Sequence, residues 1–176
     1  MCGMRVRSGT APGTFRLAFR SAVNNVRQHW VATTAGLQAG AWAAENVPGS
    51  WLYPACPMNG PELVGGAVAY MMGDENQVFW AMQGPNGGFG KGVGTPTGQG
   101  RNERYPTAVA SGGQVLMIWN EGPMAVEGTA MVLWALWKED GTFTGESGVL
   151  GTSFAGTKAT AWVGGGGAFF VMTTAE

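Results

Sequence analysis

The sequence is poor in charged side chains, histidine and cysteine, and these shortages exclude several kinds of protein. Charged residues make up 12% of the 176 residues and the net charge is −1, where a charged fraction of about 25% is usual. A chain with no excess of positive charge has no electrostatic footprint for nucleic acid, so we expect no such partner. One histidine and two cysteines are too few for a structural zinc site, and we expect neither a metal nor another cofactor.

Long hydrophobic segments are also missing. No run reaches the about 18 apolar residues that a membrane-spanning helix needs, and residues 1–14 lack the apolar centre of a secretory signal peptide. We expect residues 1–14 to be disordered or to form edge structure. Cys2 and Cys56 allow at most one intrachain disulfide, and the prolines that flank Cys56 favour a buried structural thiol.

Glycine and tryptophan are abundant, and both favour a protein made of β-strands. Glycine accounts for 31 of the 176 residues, roughly 18% against a usual level of about 7%. There are eight tryptophans, and hydrophobic residues total 45%, which supports a packed core and argues against disorder. Because long Lys/Glu/Leu-rich segments are also missing, we expect many short strands joined by glycine turns.

A group of apolar strands recurs about every 50 residues. The clearest copy spans residues 105–141, with a short strand, a Ser-Gly-Gly turn, a second strand at 114–119, a polar loop at 120–128 and a third strand at 130–137. The pair Asp140-Gly141 then indicates a tight turn. Matching second strands centre near Phe19, Tyr70 and Phe170, and matching third strands near Trp30 and Trp80.

This period predicts an all-β fold, a partial β-propeller of about three and a half blades, each an antiparallel sheet of three to four strands. The apolar runs are nearly continuous, as in strands buried on both faces, and stacked blades bury both faces of a sheet. The predicted units are residues 15–52, 53–104 and 105–157, with an incomplete unit at 158–176. A β-sandwich, which also has strands at short intervals, is the alternative.

Four segments carry a resemblance to a known family. They are RYPTAVASGGQVLMIWNEGP (104–123), MVLWALWKEDGTFTGESG (131–148), FRLAFRSAVNNVRQHWVATT (15–34) and WLYPACPMNGPEL (51–63). They resemble blades of bacterial sialidase-like β-propellers, in which Tyr-Pro opens a blade, Trp-x-Glu-Gly ends its second strand and Asp-Gly closes its third. The family's Asp-box has its nearest counterpart at residues 33–42, which contain no aspartate.

The resemblance implies an exported bacterial protein, periplasmic or secreted, that interacts with carbohydrate. The function it favours is a non-catalytic glycan-binding or structural module. The alternatives are part of an exo-sialidase-type glycoside hydrolase and a protein-interaction scaffold, so whether the chain is an enzyme stays open. Self-association or further blades are the means by which such a ring is completed.

In a propeller, the loops between second and third strands and those leading into each blade share one face. That face collects polar side chains able to hold an anionic sugar through arginine forks. Glu121 and Tyr105 are the candidate catalytic residues, and Glu127, Asp74 or Glu103 would supply the second carboxyl group that glycoside hydrolysis needs. Ordinary solvated loop polarity is the alternative. The candidate ligand-binding residues are Arg20, Asn24, Arg27, Arg104, Tyr105 and Glu121.

Other conspicuous side chains favour structural roles. Arg16 and Arg20 lie four residues apart on one strand and therefore point to the same face. They either face a channel or groove, or one of them pairs with Glu45 or Glu121 at the rim. His29 has no nucleophilic partner in a recognisable motif and is expected to be structural. Trp51 and Phe89 suit sugar stacking. The tryptophans that recur with the repeat are expected between blades, at Trp30, Trp80, Trp119, Trp134 and Trp137.

Overall fold

The computed structural model describes residues 4–8, 12–36, 42–52, 60–96, 102–122, 131–151 and 158–174. Over these ranges the chain forms β-strands and a single three-residue 3-10 turn at Gly165–Gly167. The strands are β1 Met4–Ser8, β2 Phe15–Val23, β3 Val26–Thr34, β4 Ala43–Leu52, β5 Glu62–Val64, β6 Ala67–Met72, β7 Gln77–Met82, β8 Val93–Gly94, β9 Arg104–Ser111, β10 Gln114–Glu121, β11 Met131–Lys138, β12 Phe143–Gly151, β13 Lys158–Val163 and β14 Phe169–Thr174.

The strands form four antiparallel sheets, each built from consecutive strands. Sheet 1 has the order β1-β2-β3-β4, sheet 2 β5-β6-β7-β8, sheet 3 β9-β10-β11-β12 and sheet 4 β13-β14. Short turns make this meander possible. Asn24 and Asn25 have φ values of 51° and 62°, and Gly112 and Gly113 have 59° and 78°. Positive φ at both central residues is the geometry of a two-residue hairpin turn, which asparagine and glycine tolerate.

The sheets stack face to face, because alternate residues of the inner strands are apolar on both sides. In β6, Val68 and Tyr70 pack towards sheet 1, whereas Ala67 and Ala69 pack towards sheet 3. In β10, Met117 packs towards sheet 2, whereas Leu116 and Ile118 on either side of it pack towards sheet 4. That last interface contains Leu116, Ile118, Val132, Ala159 and Ala161.

The first strands of successive sheets lie side by side, β1 next to β5, β5 next to β9, and β9 next to β13. Consecutive four-stranded meanders that stack around their first strands define a β-propeller. The prediction of an all-β partial propeller is therefore confirmed. A β-sandwich does not describe it, because sheets 2 and 3 are covered on both faces. The unit limits proposed from the sequence stay predictions.

Two local expectations were wrong. Asn120 and Glu121 belong to β10 and are buried, and not to a polar loop, because the ladder continues to Asn120–Val132 and Glu121–Met131. Trp30 does not lie between sheets, because it is opposite Phe19 on the face of sheet 1 that points away from sheet 2.

Segment 1–14 contributes the edge strand β1, which pairs with β2. No helix within the described ranges is long and apolar enough to cross a membrane.

Candidate functional site

The connections between second and third strands lie at one end of the stack, which we call the loop end. They are residues 24–25 and residues 73–76, and β10 ends at the same end with Glu121. β2, β6 and β10 occupy equivalent places in their sheets and run in the same direction, so these connections share one end. The opposite end carries the turns at 65–66 and 112–113. The question for the candidate residues is which of them reach the loop end.

Arg20 and Arg27 lie together near the loop end, between sheets 1 and 2. Arg20 is opposite His29 in the β2–β3 ladder and Arg27 is opposite Ala22, so both guanidinium groups leave the same face. They are 8% and 7% exposed. Burial lowers the pKa of Arg20, and the positive charge of Arg27 lowers it further. The sheet therefore holds two like charges close together in a poorly hydrated place.

His29 is a packing residue, as the sequence suggested. It is 1% exposed, and its ring centroid lies 5.3 Å from that of Trp51 and 5.1 Å from that of Tyr70. Burial, with a smaller contribution from the charge of Arg20, lowers its pKa to about 3. The imidazole is therefore neutral at physiological pH and contributes aromatic contacts to the interface between sheets 1 and 2.

Arg16 shares the face of Arg20 but serves the opposite end of the stack. Its Nη1 donates a hydrogen bond to the carbonyl of Gly65, and its Nη2 donates to Oε1 of Gln83 at 3.1 Å. Gly65 is in the turn between β5 and β6, and Gln83 directly follows β7, so both acceptors are next to strands of sheet 2. Arg16 is thus a structural tie between two sheets, and of the two arginines on β2 only Arg20 remains a site candidate.

Three buried glutamates lie between sheets 2 and 3. Glu121 continues the row of Met117 and Trp119 that faces sheet 2, and Glu62 is opposite Ala69 on the face towards sheet 3. The third is Glu103. Glu121 is 2% exposed, Glu62 1% and Glu103 0%. Within the described ranges, no group of three or more His, Cys, Asp or Glu side chains is arranged to hold a metal ion.

Glu103 is anchored more firmly than a solvated carboxylate would be. Its Oε2 accepts hydrogen bonds from the backbone N–H of Val78 at 2.8 Å and from the hydroxyl of Thr95 at 2.6 Å. Its Oε1 is buried without a hydrogen-bond partner in the described part of the chain. Burial raises the pKa of Glu103 against the effect of these hydrogen bonds, and the charge of Glu121 adds to the rise. The two carboxyl groups are therefore electrostatically coupled.

Arg104 and Tyr105 begin β9, the strand of sheet 3 nearest the axis of the stack. The guanidinium carbon of Arg104 is 6.0 Å from the centroid of the Tyr105 ring, within the range of a cation–π contact. Between Ile118 and Asn120 the β9–β10 register shifts by one residue, and Tyr105 sits in this β-bulge at a φ of 54°. Such a conformation costs a bulky residue about 1–3 kcal/mol, and bulges redirect side chains at strand ends.

The remaining candidates are exposed in turns, buried in the core or outside the described ranges. Asn24 is exposed in the β2–β3 turn, and Asp74 is exposed in the β6–β7 turn. Trp51 and Phe89 are 4% and 9% exposed, so they are core residues and the expectation of sugar stacking there was wrong. The calls that fall outside the described residues concern Cys2, Cys56, Glu127 and the segments at 53–59 and 123–130.

The structure thus places the candidates at the loop end in two groups, arginines between sheets 1 and 2 and glutamates between sheets 2 and 3. Sequence reasoning missed Glu62 entirely. The sequence feature that could have pointed to it is a carboxylate at the start of an apolar strand, which is unusual unless the carboxylate has a polar partner. It was overlooked because the alternation of β5 is only three residues long.

The sequence matches no protein-family model and no curated protein. Among solved structures the chain is similar to a GH43 endo-arabinanase from Bacillus licheniformis, at 13% identity and a TM-score of 0.49, covering 96% of this chain and 71% of that one. It is also similar to the native Bacillus subtilis arabinanase Arb43A, at 13% identity and a TM-score of 0.46, covering 83% of this chain and 57% of that one. At these values neither structure informs the function of this chain.

Proposed function

We propose that the chain is a carbohydrate-binding β-propeller module of sialidase-like type, and that it binds an anionic sugar at the loop end. The observation that carries the proposal is the pair of buried arginines, Arg20 and Arg27, whose like charges face the same interface. A guanidinium group binds a carboxylate through two parallel N–H···O bonds, so two neighbouring arginines suit the carboxylate of an anionic sugar.

The other proposed contacts lie on neighbouring elements at the same end. Asn24 presents an exposed amide beside the arginine pair, which suits the hydroxyl groups of a sugar. Arg104 and Tyr105 add a half-buried cation and ring at the start of β9. Glu121 is buried between sheets 2 and 3, and its proposed contribution is a carboxylate at the same end of the stack.

The test is a glycan array with sialylated and neutral glycans, followed by calorimetry with the best binder. We expect the wild type to prefer sialylated glycans, and the Arg20→Ala, Arg104→Ala double variant to bind more than tenfold more weakly, because truncating a buried charge contact costs about 2–5 kcal/mol. Arg16→Lys is the matched control, since Arg16 shares the strand and the face but serves the other end.

Unchanged sugar binding by the double variant would show that neither Arg20 nor Arg104 holds the sugar, and the proposed site would be wrong. Equal binding of neutral glycans would remove the anionic class. If no glycan binds while a protein partner does, the scaffold alternative replaces the proposal.

A second candidate is glycoside hydrolysis, favoured by the coupling between Glu103 and Glu121. Glycosidases use one carboxylic acid kept protonated by its environment and a second carboxylate, and the pKa of Glu103 is raised by burial and by Glu121. Under this candidate the full-length gene product releases the fluorophore from a fluorogenic sialoside, and Glu121→Gln lowers the rate at least about a hundredfold. Absence of turnover by the wild type removes this candidate and leaves the binding proposal intact.

A further inference from the structure

A cleft lies between sheets 1 and 2, and its lining includes none of the arginines or buried glutamates described above. It has a volume of about 310 Å³, at the lower end of the range of small-molecule sites. β4 forms one wall with Pro48 and Gly49, and the floor comes from sheet 2. On the side of β8, the sheet is short, because β8 has only two residues and pairs only with Phe79 and Trp80 of β7.

The floor of the cleft is aromatic and apolar. Tyr70, Met72 and Phe79 line it, and the Tyr70 and Phe79 rings are stacked with their centroids 5.8 Å apart. Two glycines bring backbone against this floor. A Cβ at Gly49 would lie 2.8 Å from Sδ of Met72, and one at Gly92 would collide with Oη of Tyr70. Larger residues at either position would displace the side chains that shape the cleft.

The floor offers few polar groups to a ligand. The hydroxyl of Tyr70 donates a hydrogen bond to the carbonyl of Pro48 at 3.2 Å. Burial raises the pKa of Tyr70 to about 12, with a further contribution from the charge of Glu75, so the hydroxyl stays protonated. A sugar, which needs many polar partners, does not suit this lining. An apolar group buried against the rings does.

Charge is confined to the rim. Glu75 stands in the β6–β7 turn and Lys91 in the connection between β7 and β8, and both are exposed. They are of opposite sign and line the same opening. The matching ligand has an apolar body and carries both an ammonium and a carboxylate group.

We propose that this cleft is a binding site for a free apolar amino acid, whose side chain fills the floor and whose ammonium and carboxylate groups pair with Glu75 and Lys91. The lining of the cleft shares no residue with the proposed sugar site, so this proposal does not depend on that one. Its specificity has two parts, since burial of the side chain excludes polar amino acids and the rim excludes molecules that lack either charge.

The experiment is calorimetry on the full chain with L-phenylalanine and L-leucine, against L-serine, phenethylamine, 3-phenylpropionate and acetyl-phenylalanine amide. Phenylalanine and leucine are expected to bind, and serine to give no heat. Glu75→Gln and Lys91→Gln should each weaken phenylalanine about two- to fivefold, the range of an exposed ion pair. Matched controls are Asp74→Asn, in the same turn, and Lys138→Gln, on an exposed strand end.

Amide NMR shifts locate the site. Phenylalanine should move the resonances of Gly49 and Gly92, which line the cleft, and leave Gly145 of β12 unchanged. The proposal is overturned if phenylalanine gives no binding at millimolar concentration, if the capped amide binds as tightly as the free amino acid, or if the shifts occur elsewhere. It is likewise overturned if both rim variants bind like the wild type.

Discussion

The single histidine makes one consequence of the stacked sheets directly measurable. His29 is buried between Trp51 and Tyr70 with a pKa lowered from 6.5 to about 3. In the unfolded chain the same imidazole takes up a proton as the pH falls below about 6.5. The unfolded state then binds more protons than the folded state, so the free energy of unfolding decreases as the pH falls from about 6.5 towards 3.

The size of the effect follows from the difference between the pKa of His29 in the unfolded and the folded chain. Between the two pKa values the loss approaches about 1.4 kcal/mol for each pH unit, which gives about 2 kcal/mol by pH 5. His29→Phe keeps an aromatic ring between Trp51 and Tyr70 and removes the titration. The difference in unfolding free energy between this variant and the wild type should therefore grow by about that amount from pH 7.5 to pH 5.

Two measurements check the prediction. Urea unfolding followed by tryptophan fluorescence gives the free energies of wild type and variant at each pH, and taking their difference removes the contributions of the carboxylates. NMR of the lone imidazole should show a chemical shift that stays constant from pH 8 to pH 5. An imidazole that titrates near pH 6.5 in the folded protein, or a difference that does not change with pH, would refute the argument that His29 is sealed in the interface.

Two further stability predictions test the sheet interfaces. Glu103→Ala removes the acceptor of the Val78 N–H and the Thr95 hydroxyl and should lower the unfolding free energy by about 2–5 kcal/mol; Glu103→Gln keeps an acceptor oxygen and should cost much less, and equal losses in urea unfolding would contradict the anchoring role. Met117→Ala empties a position with 0% exposure between sheets 2 and 3 and should cost about 2–5 kcal/mol. Its control, Met172→Ala, alters a side chain that is 49% exposed and should stay within about 0.5 kcal/mol, and similar losses for both would argue against the stacking.

Much of the fold could be predicted because its determinants are local. The second strands expected near Phe19, Tyr70, Met117 and Phe170 are the second strands of the four sheets, β2, β6, β10 and β14. Trp80 and Trp137 lie between sheets 2 and 3, as the repeat indicated. Trp30 failed the same rule, because its exposure depends on what covers the outer face of sheet 1 and not on its place in the strand.

The candidate site was less predictable, because charge was judged from position along the chain. Glu121 was expected in a solvated loop, yet the β10–β11 ladder extends past it and buries it. Arg16 and Arg20 are indistinguishable in the strand pattern. Only the neighbouring sheet separates them, because it supplies Gly65 and Gln83 as acceptors for Arg16.

The sequence alone determined the number and approximate positions of the second strands and the tight turns at Asn24-Asn25 and Gly112-Gly113, because apolar runs and paired asparagines or glycines act over a few residues. The tertiary structure decided which polar side chains are buried together, and it decided that Arg16 and not Arg20 links sheet 1 to the residues Gly65 and Gln83. Those outcomes depend on the packing of one sheet against the next, where Glu103 meets Val78 and His29 meets Tyr70 across long sequence separations. Whether a side chain is buried depends on the sheet that packs against it, and the sequence of its own strand does not contain that information.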